Sequence, residues 1–203
     1  MNNMTQRRFF SALLFLSTLT LGVFSQASQV LSIGSAPIFL PGTTVATEAD
    51  LGGAVLVDNV IPFRIVNAGS QVLFVGKLQN RVVKSSTTGN LHFYYRIRET
   101  QSGLNGIIKS VGSLSFQTSP RLLVDWRPDG LGQVNPIEAQ RSTVNGALIQ
   151  FNFDIADQVL VGGLESKFFY VKTFSKNYSM NGQTKIQLTS GESVILNTAA
   201  PVK

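Results

Sequence analysis

Cysteine is absent from all 203 residues. That one absence excludes disulfides, thiolate metal sites, a cysteine nucleophile and a lipid-modified N-terminal cysteine. Histidine is nearly absent, His92 being the single one. A Ser-His-Asp arrangement would have to use it, and no Gly-x-Ser-x-Gly elbow accompanies it. His92 therefore reads as a mid-strand residue among Tyr and Arg, not as a catalytic base. No glycine-rich loop opens a helix to cradle phosphate, because Gly162-Gly163 falls between two strand-like runs. Charge is sparse at 14%, with 17 basic against 11 acidic residues and a formal charge of +6. That is well short of a nucleic-acid footprint. Beyond the N-terminal segment no run is long and apolar enough to cross a bilayer. No helical period persists there for more than about two turns.

What is present points to β-structure. Apolar residues make up 43% of the chain, with 18 Gly and 14 Phe, and a chain of this length can bury a sizeable core. Residues 147–173 organise the rest. Ile149, Phe151 and Phe153 fall on one face of an extended run, and Gln150, Asn152 and Asp154 on the other. Residues 168–173 are aromatic and β-branched with apolar positions on both faces, so this strand is expected at a sheet centre or covered on both sides. Two such strands need a second apolar layer.

Residues 91–99 give the cleanest alternation: Leu91, Phe93, Tyr95 and Ile97 point one way, His92, Tyr94, Arg96 and Arg98 the other. A register slip would bury arginines, so the register should be firm. Further strands are expected near 30–33, where an edge strand would lead in, and at 54–57, 61–66, 71–75, 79–84, 107–111, 114–116, 121–126, 184–188 and 194–196. Asp58-Asn59, 67–70 and 101–106 are expected as turns, and 128–136 as the longest irregular segment. Many short strands at this spacing indicate an all-β fold, an antiparallel β-sandwich of Greek-key or jelly-roll type.

The first residues read as an export signal. Arg7 and Arg8 form a basic start, 9–24 is apolar, and Ser25-Gln26-Ala27 offers small residues to a signal peptidase. Residues 1–27 are expected to be a signal peptide cut after Ala27, and 28–203 a single domain. The apolar run is shorter than the ~20 residues of a spanning helix. Arg7-Arg8-Phe9-Phe10 also resembles a twin-arginine signal. Loss of Arg7 and Arg8 takes the charge from +6 to +4. The expected location is secreted, extracellular or periplasmic, and export without cysteine suits a bacterial source.

Two sites stand out. On the outward face of 91–99, Tyr94 could stack on a sugar while Arg96 and Arg98 grip carboxylates or sulfates. Lys77, Arg81 and Lys84 would enlarge that patch if their strand pairs alongside. The plainer reading is a solvated sheet face. In the second, Asp125, Asp129, Asn135 and Glu138 supply oxygens around a glycine-containing loop that calcium could use. Their spacing departs from the EF-hand pattern, and the plainer reading is a turn at Asp129-Gly130 with Asp125 paired to Arg127 or another base. No other cofactor is implied. Trp126 shares a face with Leu122 and Val124 and reads as core. Of the remaining acids, Glu99, Glu138 and Glu165 are available for a hydrolytic carboxylate pair, but nothing in the sequence brings two together.

The run Val124-Asp125-Trp126-Arg127-Pro128-Asp129-Gly130-Leu131-Gly132, then Ala139-Gln140-Arg141-Ser142, Ile149 to Phe153, and Phe169-Tyr170-Val171-Lys172-Thr173 with Tyr178 after it, has a recognisable texture. It resembles exported β-sandwich proteins of cyanobacteria, planctomycetes and related bacteria. Many of these carry a C-terminal Pro-Glu-Pro sorting segment (PEP-CTERM) and are associated with exopolysaccharide. The resemblance spans roughly 122–202. The sequence departs from the pattern in ending at Lys203 without Pro-Glu-Pro, an apolar tail or a basic cluster, which implies a released or non-covalently held member. The expectation is an exported, non-catalytic cell-surface or extracellular-matrix protein that binds glycan or self-associates. Its partner would be a polysaccharide or surface component, with no nucleic acid and no integral membrane segment in the mature chain. The alternative is a small secreted glycan-active hydrolase using two carboxylates. A third reading is edge-to-edge assembly through an unpaired outer strand.

Overall fold

The computed structural model describes residues 27–117, 121–153 and 159–202. Residues 1–26 of the expected export signal, with Arg7 and Arg8, lie outside the described residues, as does Asp154. Among the described residues thirteen strands run in chain order. They are β1 (Gln29–Ser32), β2 (Ile38–Phe39), β3 (Gly53–Val66), β4 (Val72–Ser85), β5 (Leu91–Arg98), β6 (Ile107–Ser113) and β7 (Arg121–Trp126), then β8 (Glu138–Arg141), β9 (Ile149–Asn152), β10 (Leu160–Val161), β11 (Phe169–Lys172), β12 (Asn177–Leu188) and β13 (Ser193–Val202). One 3-10 turn, Ala49–Leu51, precedes β3.

The strands form two antiparallel sheets packed face to face, the expected β-sandwich. One has the order β1-β7-β11-β5-β4-β3, and the other β13-β12-β6-β9-β8-β2, with β10 added to β6. Alternation decides what lies between them. Phe93, Tyr95 and Ile97 of β5, Leu122 and Val124 of β7, and Phe169 and Val171 of β11 face Val111 of β6, Ile149 and Phe151 of β9, and Ile186 and Leu188 of β12 in one buried cluster. The Phe169 ring lies 4.8 Å from Phe151, 5.5 Å from Phe153 and 5.8 Å from Tyr95, so aromatic contacts from both sheets converge on it. Asn80 ties the layers by a polar route: its buried Oδ1 accepts from Ala199 N of β13 at 2.7 Å.

The organising stretch behaves as expected. β11 lies inside the six-stranded sheet between β7 and β5 and is buried at all four positions. β1 is an edge strand paired to β7. Elsewhere the strands run longer than their patterns. Asp58-Asn59 is not a turn. β3 passes through it with a bulge between Val55 and Val57, because Asp58 finds partners across the ladder instead of in its own backbone: Gln79 Nε2 and Arg81 Nη2, each at 2.7 Å. The expected strands at 71–75 and 79–84 are one strand, β4. Residues 114–116 lie outside the strands, although Leu114 N still bonds Gln183 O and Phe116 N bonds Ala147 O. β8 escaped the pattern because its inward positions are Ala139 and Arg141. The buried Arg141 donates to the carbonyls of Gly146 and Phe116 at 2.8 Å each.

Candidate functional site

The outward face of β5 is not a solvated sheet face. His92, Tyr94 and Arg96 are only 1%, 3% and 5% exposed. The strap of residues 42–52, laid across the outside of the six-stranded sheet, meets His92 and Tyr94, while Arg96 meets Glu165, Ser166 and Phe168. The strap enters at Gly42, whose φ of +90° and whose approach to the Trp126 ring (2.8 Å from where a Cβ would sit) leave room for glycine alone. Asp125 anchors that entry, accepting from Gly42 N and Trp126 N at 2.9 Å and from Thr43 Oγ1 at 2.5 Å. Burial raises the Asp125 carboxyl to about 6, partly offset by those donors. Further along, Lys172 of β11 donates to Glu48 at 2.7 Å and Asp50 at 3.0 Å. Tyr94 donates its hydroxyl to Leu51 O at 3.0 Å, and burial pushes its phenol up to about 12. Leu51, Val83, Tyr94, Phe168 and Tyr170, with Val45, form a second, smaller apolar cluster under the strap. Trp126 packs against the main core, as expected, and donates Nε1–H to Leu40 O at 3.0 Å.

His92 lies beneath the same strap. Its Nε2 is 3.0 Å from Asp50 O, and its Nδ1 has no hydrogen-bond partner among the described residues. Burial lowers its pKa, and the Asp50 carboxylate only partly opposes that. A depressed histidine gives stability that is fully present above the unfolded value, near 6.5, and is lost as pH falls through the folded value. Asp125 works the other way, since its folded carboxyl takes a proton before the unfolded one. The loss of thermal stability between pH 7 and 5 should therefore be smaller in His92→Gln than in the wild type. Equal losses in the two proteins would show that His92 does not titrate in this way.

Beside the strap lies a groove of about 660 Å³. Tyr94, Phe168 and Val83 form its floor. Val55, Asp58 and Arg81 line one side, Arg127, Asp129 and Leu131 the other, and Gln79, Arg96 and Arg98 complete the lining. The pairing of β4 with β5 brings Arg81 opposite Tyr94 and into the lining, but Lys77, opposite Arg98, pairs with Glu99 outside it, and Lys84 stands opposite the core residue Leu91. Four arginines thus share the lining with two aspartates. The Arg81 and Arg96 guanidiniums lie 4.9 Å and 5.6 Å from the centre of the Phe168 ring. Arg81 pairs with Asp58 at 2.7 Å, and Arg127 grips Asp129 through two nitrogens at 2.7 and 2.9 Å. Burial raises both carboxyls, but the arginine contacts outweigh it and hold each below the ordinary aspartate value. From outside the lining, Glu165 meets Arg96 and Glu99 meets Arg98. The buried Nε–H groups of Arg81 and Arg98 have no acceptor among the described residues. A buried donor left unmet costs about 1–3 kcal/mol.

The structure thus brings Tyr94, Arg96 and Arg98 to one groove and changes their roles. Tyr94 is a floor hydroxyl tied to the strap, not a free stacking ring. Arg96 is a tether, donating Nε–H to Ser166 O at 3.3 Å while pairing with Glu165. Arg98, with its side chain 31% exposed, keeps the expected accessible position. The oxygen set expected for calcium is not assembled. Asp125 is spent on the strap, Asp129 on Arg127, and Glu138 accepts from Asn152 Nδ2 at 2.8 Å on the other sheet. Asn135 Nδ2 bonds Pro136 O at 3.1 Å. No group of three or more His, Cys, Asp or Glu among the described residues is placed to hold a metal ion. Glu99 and Glu165 do meet, but through a backbone bond, Glu99 N to Glu165 Oε1 at 2.7 Å. Sequence reasoning missed Phe168 and Arg127, whose places depend on β11 lying between β5 and β7. Among the described residues no helix is long and apolar enough to cross a membrane. Comparison with protein-family models, curated proteins and solved structures gives no significant match to this chain.

Proposed function

We propose that this chain is an exported, non-catalytic protein of the cell surface or extracellular matrix that binds an acidic glycan in the groove over β3, β4 and β5. One observation carries the reading: four arginines and an aromatic floor share one groove. A uronate or sulfate sugar supplies acceptor oxygens for guanidinium and an apolar ring face for the exposed Val55 and Leu131. The groove carboxylates, Asp58 and Asp129, are held ionised by their arginines. Neither is set up to donate a proton to a glycosidic oxygen, which favours binding over hydrolysis.

Self-association has its own support. The outer side of β3 has no strand partner among the described residues, and Val55, Leu56 and Val60 are exposed along it. However, the bulge at Leu56 and Pro62 within the strand are features that blunt an edge. The groove reading is therefore preferred.

The test is affinity electrophoresis of the protein, recovered from an exporting bacterial host, in gels containing polygalacturonate, dextran sulfate or neutral dextran. Retardation by the two acidic polymers is expected. Arg81→Ala plus Arg98→Ala should weaken it at least about tenfold, since each lost charge-assisted contact is worth about 1.5–3 kcal/mol. EDTA should change nothing. The double variant should stay folded, because exposed ion pairs contribute only about 0–1 kcal/mol each. Equal retardation of variant and wild type would sink the proposal.

A further inference from the structure

Ser28 sits at the mouth of the strap. Its backbone N–H donates to Glu48 Oε1 at 2.8 Å and its hydroxyl to Oε2 at 2.7 Å. Ser28 is 7% exposed, whereas Ala27 before it is exposed, its carbonyl accepting from Gln29 Nε2 at 2.7 Å. Glu48 also receives Lys172 Nζ at 2.7 Å, and the same ammonium lies 2.9 Å from Asp50. The other ionisable groups packed here are Asp125, the buried His92, and Tyr170, whose hydroxyl is 2.8 Å from Ser28 Oγ. Burial and the neighbouring Asp125 and Glu48 carboxylates push the Tyr170 phenol up, so it stays neutral. Two carboxylates, Glu48 and Asp50, thus share one cation, Lys172. An amide N–H at Ser28 satisfies the geometry at Glu48 but adds no positive charge.

We propose that the Ala27–Ser28 peptide bond is a processing site, and that the α-ammonium it leaves on Ser28 is a built-in charged partner for Glu48. An endopeptidase that reads small residues, here Ser25 and Ala27, adds water across the bond. The C–N bond breaks, Ala27 leaves with the carboxylate, and the Ser28 amine takes up a proton. An α-amine has an ordinary pKa of about 7.7–8.0 and is mostly charged at pH 7, and the Glu48 carboxylate beside it favours the charged form against burial. The N–H···O bond, until then charged on the Glu48 side alone, becomes an ion pair with both partners charged. Export would then complete the strap: the carboxylate that Lys172 holds from β11 is held from its other side by the new chain terminus. The inference rests on the export reading above.

The full chain is expressed in an exporting bacterial host and its intact mass measured. The expected mass is that of residues 28–203. Thermal midpoints are then compared for four proteins: wild type, Glu48→Gln, a chain with two glycines inserted between Ala27 and Ser28, and the combination, each with its N-terminus confirmed by mass. The insertion should lower the midpoint by about 2–4 °C, and the gap should close in the Glu48→Gln background. An unprocessed chain overturns the export reading itself. Cleavage elsewhere overturns the processing site alone. Cleavage at Ser28 with the same gap in both backgrounds overturns the ammonium–Glu48 pair.

Discussion

Phe169→Ala is expected to lower stability by about 3–5 kcal/mol, the range for removing a fully buried phenylalanine. Phe169 has no solvent exposure. Its ring meets Tyr95 on its own sheet, Phe151 on the opposite sheet, and Phe153 just beyond β9. Alanine leaves a void that none of these rings can fill without leaving its own packing. Domains are stable by only about 5–15 kcal/mol in total, so the variant should show a far lower denaturant midpoint at an unchanged slope. Phe174, 60% exposed just past β11, provides the control. Its replacement by alanine should fall within about 0.5 kcal/mol of wild type. Similar losses at the two positions would mean that the sandwich core is not centred on β11.

The second large effect belongs to Asp125→Ala, expected to cost about 3–4 kcal/mol. Gly42 N–H and Trp126 N–H both lose the acceptor they use, and each loss of a buried acceptor costs about 1–3 kcal/mol. The consequence reaches the groove, because Val45 and Leu51 of the strap line it. The proposed glycan binding should weaken along with stability. Asp125→Asn keeps an acceptor and removes a buried charge, so it should cost about 1 kcal/mol or less. It should also remove a pH dependence. The folded carboxyl, at about 6, takes a proton before the unfolded one, at 3.8. Asp125 therefore adds stability as pH falls between those values, and the asparagine variant lacks that gain. Denaturant titrations at pH 7 and pH 5 test both points. An alanine variant as stable as wild type would show that the strap is not anchored through Asp125.

The period-two alternation at 91–99 was enough to place Phe93, Tyr95 and Ile97 in the core, because one face of a strand in a sandwich must be apolar. The opposite face was misread for an equally physical reason. His, Tyr and Arg on a strand look solvated unless their counterparts are known. Here those counterparts are Asp50 for His92, the Leu51 carbonyl for Tyr94 and Glu165 for Arg96, from 42 to 69 residues away in sequence. Local pattern carries no signal for such pairings. Arg81 was legible as part of the site once β4 was allowed to pair with β5. Phe168 was not, because its neighbours depend on β11 inserting between strands distant in the chain. Asp58-Asn59 failed in the other direction: a strong local turn signal lost to an ion pair and an amide bond across the ladder. Asp125 and Asp129 were singled out as calcium ligands, but their oxygens accept from Gly42, Thr43 and Arg127.

The most direct test is a calorimetric titration of the protein with oligogalacturonate, set against the same oligomer with its carboxyls methyl-esterified. The groove over β3, β4 and β5 predicts saturable binding of the acid that weakens as salt is raised and falls at least about tenfold on esterification, because the guanidinium contacts require the carboxylates. Equal binding of both oligomers, or binding indifferent to salt, would contradict an arginine-lined acidic-glycan site.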